Sequence, residues 1–172
     1  VAMIRRFFNV GDEMKLIVWT LAACAAIALP AAAADVTYRK DVAPMIKKYC
    51  AECHSSSADA PSMAEFNLDQ EKYKKAKLGP LTDTFEHLLQ LVNGKSMGAL
   101  MRRLDDGTSQ YAGGKPGNMY KYLGETDAER AANLTVLKAW VGEGGWTLNR
   151  MAARGDVPAI TKEQMDKLIL KY

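Results

Sequence analysis

Cys50-Ala51-Glu52-Cys53-His54 decides what this 172-residue chain can be. Two thiols three positions apart share one helical turn, so each can add across a vinyl group of the same porphyrin. His54 follows at once, which brings its imidazole under the ring with a nitrogen aimed at the iron. This spacing is the attachment signature of c-type haem. Zinc is a poor competitor. Structural zinc takes four ligands, three of them crowded on one turn make poor tetrahedral geometry, and no cysteine follows Cys53.

Upstream, Val42, Met45, Ile46 and Tyr49 recur at i, i+3, i+4 and i+7. They predict an amphipathic helix running into the motif, with Asp41 as N-cap and Pro44 in the first turn. Residues 55–81 carry Ser, Pro, Asp and Lys with little periodicity and read as a loop with one short turn of helix. Phe85, Leu88, Leu89 and Val92 predict a second helix, begun by Asp83 and stopped at Asn93-Gly94. Met97, Leu100, Met101 and Leu104 form a third stripe, ended by Asp105-Asp106-Gly107. A loop over 105–118 follows. The Thr126-Asp127-Ala128-Glu129 capping box opens a helix with Ala131, Leu134, Leu137 and Val141 on one face and Trp140 beside it. Gly142, Gly144 and Gly145 end it. A last helix starts at Thr161-Lys162-Glu163-Gln164 and carries Met165, Leu168, Ile169 and Tyr172. Strand-type alternation is nearly absent, so the fold class is all-α.

The first third needs separate treatment. Met14-Lys15, an apolar run from Leu16, and Ala31 to Ala34 before Asp35 read as a secretory signal peptide over 1–34, cleaved after Ala34. Residues 1–13 read as an extension upstream of a true start at Met14. A retained membrane anchor is the alternative, but the run is short for a span and its alanine-rich end suits cleavage. The expected location is therefore the periplasm, with no stable membrane span after cleavage. Three of the 23 basic and two of the 20 acidic residues precede Asp35, leaving 20 and 18. Such a balance gives no footing for nucleic-acid binding. Cys50 and Cys53 are the cysteines that remain, and haem would consume both.

A haem motif directly after a helix, with a capped, aromatic-bearing helix toward the C-terminal side, resembles the class I (monohaem) cytochrome c family. The resemblance runs from about Val36 to Trp146. It implies N- and C-terminal helices that cross beside one covalently attached haem c, and a loop methionine that completes the iron's coordination. On this reading residues 35–146 form the cytochrome c domain and 147–172 a C-terminal helical extension packing on it. The stretch at 55–81 and that extension depart from the family pattern.

Family members often show Tyr, then Pro-Gly, then Met shortly before the last helix. Here Tyr111 precedes Pro116-Gly117-Asn118-Met119, and Thr126 lies seven residues past Met119. Met119 is thus the expected distal iron ligand opposite His54; its soft sulfur would stabilise ferrous iron. Met101 and Met97 are rivals, although both share a stripe with Leu100 and Leu104, where methionine commonly fills core gaps. His87 would instead give bis-histidine ligation.

The expected function is one-electron transfer between transiently docked redox proteins, by a monomer with no catalytic residues. An open sixth iron position, as in a ligand-binding protein or small peroxidase, is the alternative. That chemistry needs a distal acid–base group, and His87 is the obvious candidate. Lys72, Lys74, Lys75 and Lys77 suit either an acidic partner or a solvated loop beside Asp69 and Glu71. Arg102, Arg103 and Lys115 are candidates to pair haem propionates. Trp140 and Trp146 could face the cofactor, with core packing the default for Trp140.

Overall fold

Thr37, rather than Asp41, starts the first helix of the computed structural model, which describes residues 35–93, 98–109, 114–147 and 160–172. The Thr37 hydroxyl accepts from Lys40 N at 3.3 Å, and the Asp41 carboxylate accepts in return from Thr37 N at 2.9 Å. Asp41 therefore acts from inside the first turn, where a carboxylate also meets the positive end of the helix dipole. Pro44 has no N–H to donate, and the turn before it, Tyr38–Val42, opens to π spacing: Val42 N reaches Thr37 O and Ala43 N reaches Tyr38 O. Helix α1 (Ala43–Tyr49) continues from it and α2 (Ala51–His54) carries the haem motif. Val42, Met45 and Ile46 are buried, as their spacing requires.

Residues 55–81 hold more helix than expected. A 3₁₀ turn at Ser56–Ala58 is followed by α3 (Met63–Leu68) and α4 (Gln70–Lys75). Their sequence signal lies in caps, not periodicity. Ser62 and Glu65 form a capping box, and the Asp69 carboxylate accepts from Lys72 N at 3.0 Å. Neither helix holds a fully buried residue; Met63 packs on the core from its partly exposed position, and Phe66 stacks on Tyr73 at 6.2 Å.

Helix α5 (Phe85–Val92) is capped by Thr84, whose hydroxyl accepts from His87 N; Asp83, the expected cap, is engaged elsewhere. Helix α6 (Ala99–Leu104) buries Leu100, Met101 and Leu104. The Thr126–Glu129 box opens α7 (Asp127–Val141), which buries Leu134, Leu137, Trp140 and Val141. Ala131, expected on that face, is exposed; its methyl has little area to bury. Helix α8 (Glu143–Trp146) follows Gly142 directly, so the glycines there join two helices rather than only ending one.

Helix α9 (Lys162–Met165) lasts one turn, and the predicted stripe from Met165 to Tyr172 does not continue as helix. Leu170 takes a left-handed φ of 46°, and the chain pairs with the end of α7: Ile169 N donates to Val141 O at 3.0 Å and Leu170 N to Trp140 O at 2.8 Å. The last carbonyls of a helix lack intrahelical donors, and this tail supplies them. Leu168 and Leu170 pack on the core, while Met165, Ile169 and Tyr172 are exposed.

No strand occurs among the described residues, and none of their helices is long and apolar enough to cross a membrane. One core unites α1, α5, α6 and α7. Where the opening turn meets α7, Tyr38 and Trp140 both contact Phe85, at ring-centroid separations of 5.3 and 6.2 Å. The proposed signal segment 1–34 lies outside the described residues, as do Met97, Tyr111 and 148–159.

Candidate haem site

Cys50 closes α1 and Cys53 stands one turn on, with Cys53 N donating to Cys50 O at 3.3 Å. Both thiols are free and partly buried. Burial, with Cys53 alongside, pushes the Cys50 thiol up to about 11, so in the unattached chain it stays protonated at neutral pH.

His54 ends α2, and its Nδ1 lies 2.7 Å from Pro80 O. A carbonyl only accepts, so Nδ1 carries the proton and Nε2 keeps its lone pair. Burial lowers the pKa of His54, opposed in part by the bond to Pro80, which favours the neutral ring a metal requires. The segment returning past the imidazole is held by backbone bonds. Gly79 N donates to Cys53 O and Thr82 N to His54 O, both at 2.9 Å. A Cβ on Gly79 would stand 2.0 Å from His54 Cε1, so only glycine lets the main chain lie this close. Two free thiols and a neutral imidazole with one nitrogen engaged are the donor set that covalently attached haem needs.

Met119 is partly buried against the same core cluster as Cys50. Its N–H donates to Arg103 O at 2.9 Å, and Gly117 N donates to Asp105 O at 2.7 Å. The Pro-Gly-Asn-Met run therefore lies across the end of α6 and supplies donors to carbonyls that the helix leaves open. A Cβ on Gly117 would come within 2.3 Å of Arg103 O. Arg103 Nη1 also donates to Asn118 Oδ1 at 2.9 Å.

A family model described as PccH cytochrome c matches residues 37–172. The chain belongs to the PccH cytochrome c family. It is also similar to the solved structure of the monohaem cytochrome PccH from Geobacter sulfurreducens, at 43% identity and a TM-score of 0.67, covering 80% of this chain and 98% of that one. No curated protein matches. Family membership makes this a monohaem c-type cytochrome with the helical fold of that class, and it supports electron carriage as the general role.

The other described candidates are placed as follows. Met101 is 1% exposed between Leu100 and Leu104 in the core. His87 Nδ1 lies 2.9 Å from Asp83 Oδ1, and Asp83 also accepts from Ser56 N and Oγ. That cluster ties α5 to the turn after the haem motif. Lys72, Lys74, Lys75 and Lys77 are exposed, but Lys74 pairs with Glu71 at 2.8 Å, so the run brings its own negative charge. Lys115 is exposed. Trp140 and Trp146 are buried, and their indole N–H groups donate to Lys171 O at 2.9 Å and Asp105 Oδ1 at 3.0 Å.

The sequence reading missed Gly79, Pro80 and Asp105. Gly79-Pro80 was legible in principle, since a Gly-Pro pair punctuates a chain wherever it falls. Asp105 looked like an ordinary helix stop, and nothing local marks it as buried.

Proposed function

We propose that this cytochrome is an exported one-electron carrier, its haem held by Cys50 and Cys53, with His54 and Met119 as axial ligands. The observation that carries the reading is the fixed His54 tautomer beside two free thiols on the same turn. Bound haem supplies a one-electron iron couple. The protein's part is to hold that couple still. The Pro80 carbonyl keeps the proton on Nδ1 and strengthens the ligating nitrogen. Met119 contributes a soft sulfur that favours ferrous iron and raises the potential relative to a second imidazole. With His54 and Met119 both holding the iron, no position would remain open to a substrate, and electrons would pass during small, short-lived docking to other redox proteins. In this reading residues 1–34 direct export to the periplasm, 35–146 carry the haem, and 147–172 form an extension to that domain.

The test is the visible spectrum of the oxidised and reduced holoprotein, alongside Met119→Ala. The parent is expected to be low-spin, with the weak far-red ferric band of methionine-sulfur ligation. The variant should lose that band, fall in potential and bind cyanide readily. A high-spin parent overturns the carrier reading in favour of an open iron position, and an unchanged variant rules out Met119. The mass of the exported protein should correspond to a chain beginning at Asp35 plus one haem.

A further inference from the structure

Asp105 is 1% exposed and is the one buried carboxylate among the described residues. Burying a carboxylate is costly unless donors surround it, and here they come from separate pieces of chain. Oδ1 accepts from Trp146 Nε1 at 3.0 Å and from Ser109 Oγ; Oδ2 accepts from Gly107 N at 2.8 Å and Ser109 N at 3.3 Å. Its main chain is equally occupied: Asp105 N donates to Met101 O at 2.8 Å, and Asp105 O accepts from Gly117 N at 2.7 Å. One residue thus joins the end of α6, the start of the following loop, the Pro116-Gly117 turn and α8. Ending α6 requires none of this, since an exposed aspartate would stop the helix equally well.

We infer that Asp105 is a positioning residue that locks the loop bearing Met119, acting through Gly117 on one side and Trp146 on the other. This rests on Met119 as the distal ligand. Met119 lies two residues past Gly117, and its own N–H is bonded to Arg103 O. Both ends of the loop from 105 to 119 are therefore tied to one short stretch of backbone, with α8 as the brace behind it. Folding already fixes the backbone at Gly117 and Met119, so less ordering would be left for the Met119 sulfur to hold the haem iron. A carrier needs this, because an exchange of axial ligand would move its potential.

The test uses holoprotein carrying Asp105→Asn and, separately, Trp146→Phe. Asparagine replaces one acceptor oxygen with an NH₂ that faces donors; phenylalanine removes the indole N–H together with the rest of the pyrrole ring, so its general packing loss is read from thermal unfolding and its effect on the loop from the band and the potential. The readouts are the far-red band, the midpoint potential and imidazole binding to ferric iron, with circular dichroism reporting the fold. We expect Asp105→Asn to weaken the band, lower the potential and tighten imidazole binding about tenfold, with haem still attached and the helical signal intact. Trp146→Phe should move each readout the same way by less. Should Asp105→Asn fail to fold, Trp146→Phe alone decides. Parent-like band, potential and imidazole affinity in the folded variants overturn the inference. Met119→Ala separates the two ideas: if it loses the band while Asp105→Asn and Trp146→Phe keep it, only the role of Asp105 fails. If Met119→Ala keeps the band, both fail.

Discussion

His54 meets its hydrogen-bond partner Pro80 across 26 residues of chain, and the motif's own carbonyls hold the returning segment beside it. The Met119 loop has no such local frame. It is seated on Arg103 and Asp105 at the end of α6, and Asp105 is braced by Trp146, 41 residues further on. On the first side a chemical motif dictates what must surround it. On the second, the geometry follows from where the ends of two helices happen to fall. On the proposed ligation, the His54 side should therefore fail through the haem motif itself, and the Met119 side without disturbing haem attachment.

Gly79→Ala attacks the proximal clamp and should have the largest effect. The new Cβ would lie 2.0 Å from His54 Cε1, so the imidazole must leave Pro80. We expect a loss of about 3 kcal/mol in denaturant unfolding of the holoprotein, with a shifted potential. Parent-like stability would show that the clamp is loose.

Gly117→Ala is the distal counterpart. Its Cβ would meet the Arg103 carbonyl, a backbone atom unable to step aside as a side-chain tip can. Expected are a loss of about 2 kcal/mol and disappearance of the far-red band while haem remains covalently attached. A retained band would mean that the turn does not place the sulfur.

Acid should loosen the proximal side through Asp83. Burial alone would raise its pKa, but bonds from Ser56 N–H, Ser56 Oγ–H and His87 outweigh that and hold it below the ordinary 3.8. A carboxyl lowered on folding contributes stability that is fully present above its unfolded value and lost as pH falls through the folded one. Melting temperatures measured from pH 6 downward should thus fall below about pH 4 in the parent. Asp83→Asn should melt lower at neutral pH and lack that part of the acid slope; an identical slope in both would discount the cluster.

Thr82→Val should do least. Its buried hydroxyl has no hydrogen-bond partner among the described residues, while its N–H bond to His54 O survives the change. Stability within about 0.5 kcal/mol of the parent is expected. A large loss would show that the side chain, not the backbone, holds this segment.

The same division separates what was legible from what was not. The haem pentapeptide, the buried stripe of α1 and the Thr126 box were readable because each is complete within a few consecutive residues. Helices α3 and α4 exceed the one short turn expected over 55–81 because Met63 and Phe66 are too few to make an apolar period, although the Ser62–Glu65 box was there to find. The terminal run misled for the opposite reason: Met165, Leu168, Ile169 and Tyr172 are spaced for a helix, but the open carbonyls of Trp140 and Val141 draw the chain into backbone pairing.

By itself, then, the amino-acid order determined membership of a monohaem cytochrome c class and the helices whose caps and apolar faces are local. Tertiary structure alone decided that Pro80 fixes the His54 tautomer, that Asp105 is buried and that the tail lies along α7. Each of these depends on groups far apart in sequence satisfying one another's hydrogen bonds away from water, a condition that no short window of residues can express.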